Sequence, residues 1–178
     1  MSRKLVVIGD HFMLPEIFEE KLREACGDAL EIRGFRQDWP DRPMEHGYAV
    51  SGMDGLKEYM GSADEVVDMI GDAEILVTQL APMSRTMLDR LPGLKMIAVT
   101  RGGPVNIDMK AARDHGLRVV NAPGRNASAV AEFTLGAILA ETRKIRVGHE
   151  ALRQGIWRGD LYRADTTGRE LSEMTVGV

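Results

Sequence analysis

The chain opens on a continuous apolar run, Leu5-Val6-Val7-Ile8-Gly9, the pattern of a strand buried on both faces and so of a parallel sheet. Pro15 starts a helix in which Ile17, Phe18, Leu22, Ala25 and Cys26 recur at helical spacing, and Gly27 stops it. Leu30, Ile32 and then Gly34 to Phe35 alternate with polar residues, as a more exposed second strand does. From Arg36 to Gly61 the periodicity fails, because Pro40, Pro43, Gly47, Gly52 and Gly55 interrupt it; this stretch reads as a long surface excursion.

Regularity resumes at Ser62-Ala63-Asp64-Glu65, a capping-box pattern in which hydroxyl and carboxylate each satisfy an orphan amide. Val66, Val67 and Ile70 then face inward up to Gly71. Ile75 to Thr78 is a buried-type strand, Ser84 caps a short helix through Met87, Leu88 and Leu91, and Leu94 to Val99 is a strand again. A helix from Ile107 to His115 ends at Gly116, before a strand from Leu117 to Val120. Strand and helix alternating across short loops predict right-handed crossovers and an α/β fold with a doubly wound parallel sheet.

Beyond residue 121 the pattern changes. A helix is predicted from near Asn126, its cap, to about Gln154, with Gly155 as the stop. Between Ala129 and Ala140 only Glu132 and Thr134 are polar, so this segment is apolar nearly all round and expects protein on several sides. A polar loop spans Arg158 to Arg169, and Met174-Thr175-Val176-Gly177-Val178 reads as the opening of a buried strand or, equally on local grounds, as a frayed tail. The expected organisation is a domain over 1–121 followed by a connecting helix and the start of a second domain over 122–178.

Composition narrows the class. The 178 residues carry 23 basic and 27 acidic side chains, a net charge of −4, with 44% hydrophobic residues: a soluble globular balance, mixed in sign throughout, that argues against a nucleic-acid partner. No apolar run reaches the roughly 18 residues of a membrane span, and Met1 to Asp10 has no secretory pattern. The lone Cys26 forms no internal disulfide and no zinc cluster, so the expected compartment is the cytoplasm.

Four stretches together resemble the D-isomer-specific 2-hydroxyacid dehydrogenases, the family that includes phosphoglycerate dehydrogenase. They are Leu94 to Gly103 (LKMIAVTRGG), Asn106-Ile107-Asp108, Val119 to Gly124 (VVNAPG), and Asn126 through Val130-Ala131-Glu132. Gly155-Ile156-Trp157 and the tail from Gly168 to Val178 also look like that family. The resemblance implies a flavodoxin-like substrate domain, a long connecting helix, and a tail that is the first strand of a truncated Rossmann domain just before its glycine turn. It implies the N-terminal portion of an NAD- or NADP-dependent oxidoreductase that moves hydride between nicotinamide and the CH–OH group of a D-2-hydroxy acid. The Gly-x-Gly-x-x-Gly turn, the ribose-binding acid and the family's substrate-orienting Arg and acid–base Glu and His have no counterpart in these 178 residues. No catalytic residue and no tightly bound cofactor are therefore expected of this chain alone.

The same resemblance places Arg101, Gly102 and Gly103 at the substrate carboxylate, where glycines let backbone amides approach an anion and a guanidinium can pair with it. A tight turn with a solvated Arg101 explains the same residues. The loop to Asn106 is about two residues shorter than the family pattern, and Pro104 brings no amide to it. Val130 stands where relatives touch the nicotinamide end of the cofactor, and is equally an ordinary core valine. Glu132, alone in an apolar stretch, should be paired or near a helix start. Asp10, at the carboxyl edge of the first strand, is placed for ligand binding. His11, His46, His115 and His149 have no carboxylate at useful spacing, although His115 suits a helix C-terminus. The expected partners are a small 2-hydroxy or 2-oxo acid and a second copy, in a homodimer through the 126–154 helix. The alternative is a stand-alone flavodoxin-like binding or regulatory module.

Overall fold

The structure, a computed structural model, describes residues 2–38, 52–53 and 55–177; most of the expected surface excursion, with Pro40, Pro43, His46 and Gly47, lies outside the described residues. Two compact units divide the chain, Met1–Arg125 and Asn126–Val178.

The first unit is a sheet of five parallel strands: β1 (Arg3–Gly9), β2 (Leu30–Arg36), β3 (Ile75–Thr78), β4 (Met96–Val99) and β5 (Arg118–Asn121). Their order, β2-β1-β3-β4-β5, is the flavodoxin-like doubly wound one, with its reversal of winding between β1 and β3. Alternate residues of β1 serve opposite faces. Val6 and Ile8 join Leu76, Ile97 and Val99 against α2 (Ala63–Ile70), α3 (Arg85–Asp89) and α4 (Met109–Asp114), through Val66, Ile70, Met87, Leu88, Ala111 and Ala112. Leu5, Val7 and Val77 pack on the other face against Phe18 and Leu22 of α1 (Pro15–Cys26). The near-continuous apolar spelling of β1 follows from this two-sided burial.

Local signals explain most helix boundaries. Pro15 occupies the first turn of α1. Ser62 and Glu65 close the capping box of α2, with Glu65 N–H donating to Ser62 Oγ at 3.3 Å and Ser62 N–H donating to Glu65 Oε2 at 3.0 Å. Helix α4 is shorter than the pattern suggested. Asp108 caps it, accepting from Lys110 N–H and Ala111 N–H, while Ile107 is buried outside it and pairs with Met83 in a β-bridge. Ser84 precedes α3 without a capping bond, its hydroxyl lying 3.0 Å from the Thr86 hydroxyl instead.

The second unit departs from expectation in three ways. The single helix over 126–154 is two, α5 (Ala127–Thr142) and α6 (Ile145–Arg153), separated at Lys144, whose φ of 54° is left-handed. Asn126 stands at the N-cap of α5 without a side-chain bond. Residues 174–177 follow a short 3-10 turn, Leu171–Glu173, and carry no ladder; an extended apolar segment becomes a strand only beside a partner strand, and among the described residues none pairs with it. Helix α5 is apolar on every side and holds no buried residue, with Phe133 79% exposed. Among the described residues no helix is long and apolar enough to cross a membrane, and no cluster of His, Cys, Asp and Glu is arranged to hold a metal ion.

Candidate functional site

The carboxyl ends of β1, β3 and β4 bring the chemistry of the first unit to one edge. After β4 the chain runs through Thr100, Arg101, Gly102, Gly103 and Pro104 to a buried anchor at Asn106 and Ile107. Asn106 is fully buried; its Nδ2 donates to the carbonyls of Gln79 at 3.3 Å and Ala81 at 2.8 Å, tying this loop to the one after β3. Thr100 N–H donates to the Thr78 carbonyl at 2.9 Å, and Val105 N–H to the Gly103 carbonyl at 2.9 Å. The loop is thus pinned at both ends, and its middle faces solvent.

Gly102 and Gly103 occupy that middle. Both are exposed, neither has a positive φ, and a Cβ added to either would point into open space. A left-handed turn does not account for glycine at these two positions, nor does crowding. Their amides donate to no acceptor among the described residues, whereas the Gly102 carbonyl accepts from Asn121 Nδ2 at 2.7 Å. Two adjacent free backbone N–H groups on bare glycine are suited to receive an oxyanion.

Arg101 is not the solvated side chain of a simple turn. Its side chain is 17% exposed; Nη1 donates to the Glu58 carbonyl at 2.8 Å, and Nη2 pairs with the Glu58 carboxylate. Burial, and then the nearby positive charge of Arg125, push the Arg101 pKa below the ordinary guanidinium value. Glu58, which itself has a φ of 52°, was not foreseen: it falls in the stretch where periodicity fails, 43 residues away from Arg101. Arg125 was missed too. It is exposed, and its guanidinium lies 3.4 Å from Gln79 Oε1 and 3.8 Å from Met13 Sδ.

Asp10 is 1% exposed, and its Oδ1 accepts from Phe12 N–H at 2.7 Å and Met13 N–H at 2.8 Å. It holds the β1–α1 loop closed, while its other oxygen is buried without a partner. This loop does not fit a dinucleotide. An added Cβ on Gly9 would run into the Met13 carbonyl and lie 2.7 Å from Pro15 Cδ, and Pro15 gives the start of α1 no N–H. A pyrophosphate needs open glycine backbone and free amides at a helix N-terminus. Val130, on α5, is 52% exposed and supplies no polar group. Glu132 is exposed in the second turn of α5 and, against expectation, has no partner among the described residues. His115 alone of the described histidines is held on both ring nitrogens, by the Ala111 carbonyl at 2.8 Å and Asp89 Oδ1 at 2.9 Å, at the end of α4. In the second unit a cleft of about 400 Å³ is lined by Lys144, His149, Leu152, Trp157, Arg158 and Tyr162; Arg158 is engaged there by Asp160, and the cleft brings together no acid–base pair.

Comparison with known proteins gives a consistent answer. The sequence profile of the D-isomer specific 2-hydroxyacid dehydrogenase catalytic domain matches residues 48–173. D-3-phosphoglycerate dehydrogenase of Mycobacterium bovis is 30% identical over 179 aligned positions, 100% of this chain and 28% of that protein. Glyoxylate reductase of Thermofilum pendens is 34% identical over 123 positions, 68% of this chain and 36% of that protein. Among solved structures, D-lactate dehydrogenase from Escherichia coli superposes with a TM-score of 0.56 at 23% identity, covering 93% of this chain and 44% of the other. NAD-dependent formate dehydrogenase from Staphylococcus aureus, solved with NAD, gives 0.59 at 20% identity, covering 94% and 45%. The chain spans 21% to 36% of the length of the curated relatives first matched.

Proposed function

Because the chain belongs to the D-isomer specific 2-hydroxyacid dehydrogenase family, we propose that its first unit is the substrate-holding part of an NAD- or NADP-dependent oxidoreductase acting on the CH–OH group of a D-2-hydroxy acid. The observation that carries this reading is the pair of unpartnered amides on Gly102 and Gly103 at the carboxyl edge of a doubly wound sheet, where such sheets receive ligands. The carboxylate of a 2-hydroxy or 2-oxo acid accepts from these amides. Arg101, its charge offset by Glu58, stands beside them as a fixed side chain and does not swing freely. Pro104 supports no third amide, so the cradle grips one end of the acid and leaves C2 to be presented outward.

Hydride transfer needs a nicotinamide seated on a glycine turn and an acid–base group at the C2 oxygen. The β1–α1 loop does not suit such a seat, and the proposal is that these 178 residues bind the acid without turnover, NAD or NADP belonging to a full-length parent. The proposal includes a homodimer formed through the α5–α6 arm, since the apolar surface of α5, Val130, Phe133 and Leu135 included, stands exposed. The test is NADH consumption by the purified chain, supplied with hydroxypyruvate or glyoxylate and checked by intact mass for longer species. No turnover is expected; stoichiometric turnover would contradict the assignment.

A further inference from the structure

The charges at the carboxyl edge are unequal. Arg101 and Glu58 neutralise each other, and Asp10 lies buried with one oxygen committed to the amides of its own loop. Arg125 is different. It follows β5 by four residues, yet its guanidinium reaches back across the sheet edge to Gln79, just after β3, and Met13, in the loop after β1. Those two residues flank the point where the winding reverses, the ligand-binding crevice of doubly wound sheets. Its contacts there are poor: an amide oxygen at 3.4 Å and a thioether at 3.8 Å, the second a weak acceptor. Among the described residues no carboxylate forms an ion pair with it. An exposed guanidinium held over a crevice by two weak contacts offers a planar fork of donors suited to an oxyanion.

The backbone brings Arg125 close to the Gly102–Gly103 amides. Asn121 donates to the Gly102 carbonyl and Ala122 N–H donates to the Arg101 carbonyl at 2.9 Å, so the segment leading to Arg125 runs alongside the loop after β4. One edge therefore presents two anion receptors. The first is a pair of neutral amides suited to a carboxylate, and the second a guanidinium suited to bidentate recognition of a carboxylate or phosphate.

We propose that Arg125 is a specificity-determining residue that reads a second, distal anionic group, so that the acid held here is a 2-hydroxy or 2-oxo acid with a carboxylate or phosphate at its far end. This rests on the reading of Gly102 and Gly103 as the carboxylate cradle and names the substrate class for the same site. A monoanionic acid of similar size satisfies the amides and leaves Arg125 unused. Bidentate pairing with a distal oxyanion, at an edge where Glu58 already cancels Arg101, adds a charge-assisted contact without relieving any other.

The test is an amide and arginine-side-chain NMR titration of the whole 178-residue chain at fixed ionic strength, comparing 3-phospho-D-glycerate and D-2-hydroxyglutarate with D-glycerate, and NAD+ alone in a separate arm. Dianionic acids are expected to bind about tenfold more tightly, moving the Arg125 Nε–H together with the Gly102 and Gly103 amides. In Arg125→Gln that preference collapses and the acids bind alike; Arg125→Lys, which keeps the charge and loses the fork, retains part of it. Equal affinities in the unaltered chain, or a preference that survives Arg125→Gln, overturn the proposal while leaving the cradle standing. Saturable movement of Arg125 with NAD+ and not with the acids reassigns it to a coenzyme phosphate and likewise overturns it. If no acid moves Gly102 or Gly103, the cradle and this proposal fall together.

Discussion

Arg101 has a partner that its neighbours in sequence do not suggest. Its place before Gly102-Gly103 at a substrate site is what the family resemblance implies; the residues alone read equally as a tight turn. Its partner was not legible, since Glu58 lies in a stretch without periodicity and only the fold brings the two together. The pair orients Arg101 and removes its net charge from the site, which shifts the burden of selectivity to Arg125. His115 is the clearest case where a local reading sufficed. It ends α4, and its ring donates from Nδ1 to the Ala111 carbonyl and from Nε2 to Asp89, an arrangement only the imidazolium satisfies on both sides. The Ala111 carbonyl first, and Asp89 second, raise its pKa above 6.5. A folded-state value above the unfolded one contributes stability that is fully present below the unfolded pKa and is lost as pH rises through the folded one. The urea midpoint of the native chain should therefore exceed that of His115→Gln by more at about pH 6 than at about pH 8. A difference that does not vary with pH would contradict this.

Elements were legible wherever a chemical stop or start coincided with a change of period. The Ser62–Glu65 box, Pro15 and the buried spelling of β1 each carry a mechanism in the sequence itself. The break between α5 and α6 carries none. Lys144 occupies the left-handed position after the helix end where glycine or asparagine is usual, and lysine gives no sign of it. Its N–H donates to the Glu141 carbonyl and Arg143 N–H to the Leu139 carbonyl, which closes the last turn of α5 as a C-terminal cap does. A side chain in this conformation costs on the order of 1 kcal/mol. Lys144→Gly should accordingly raise the thermal midpoint of helix loss followed by circular dichroism, by an amount corresponding to several tenths to about 1 kcal/mol. A lowered midpoint would show that the lysine side chain stabilises the joint by some other contact. The apolar run at 174–177 reads in sequence as either a strand opening or a frayed tail, and the residues alone do not separate the two, because pairing is decided by what lies alongside.

At the scale of the molecule, the sheet order follows from short strand–helix alternation and right-handed crossovers, and the reversal between β1 and β3 creates the edge on which the loops after β3, β4 and β5 converge. Helix α5 presents the complementary problem, an apolar surface with no buried residue. Exposed surface of this kind favours self-association, so light scattering after size exclusion at micromolar concentration should give twice the mass of one chain; a clean monomer would contradict the proposed dimer. The proposed acid binding turns on the carboxyl edge of β4. The most direct measurement is therefore the amide spectrum of the chain titrated with D-glycerate. Saturable shifts centred on Gly102 and Gly103, with the Lys144–Tyr162 cleft unmoved, are the predicted result. Shifts confined to that cleft, or none at Gly102 and Gly103 at saturating acid, would contradict it.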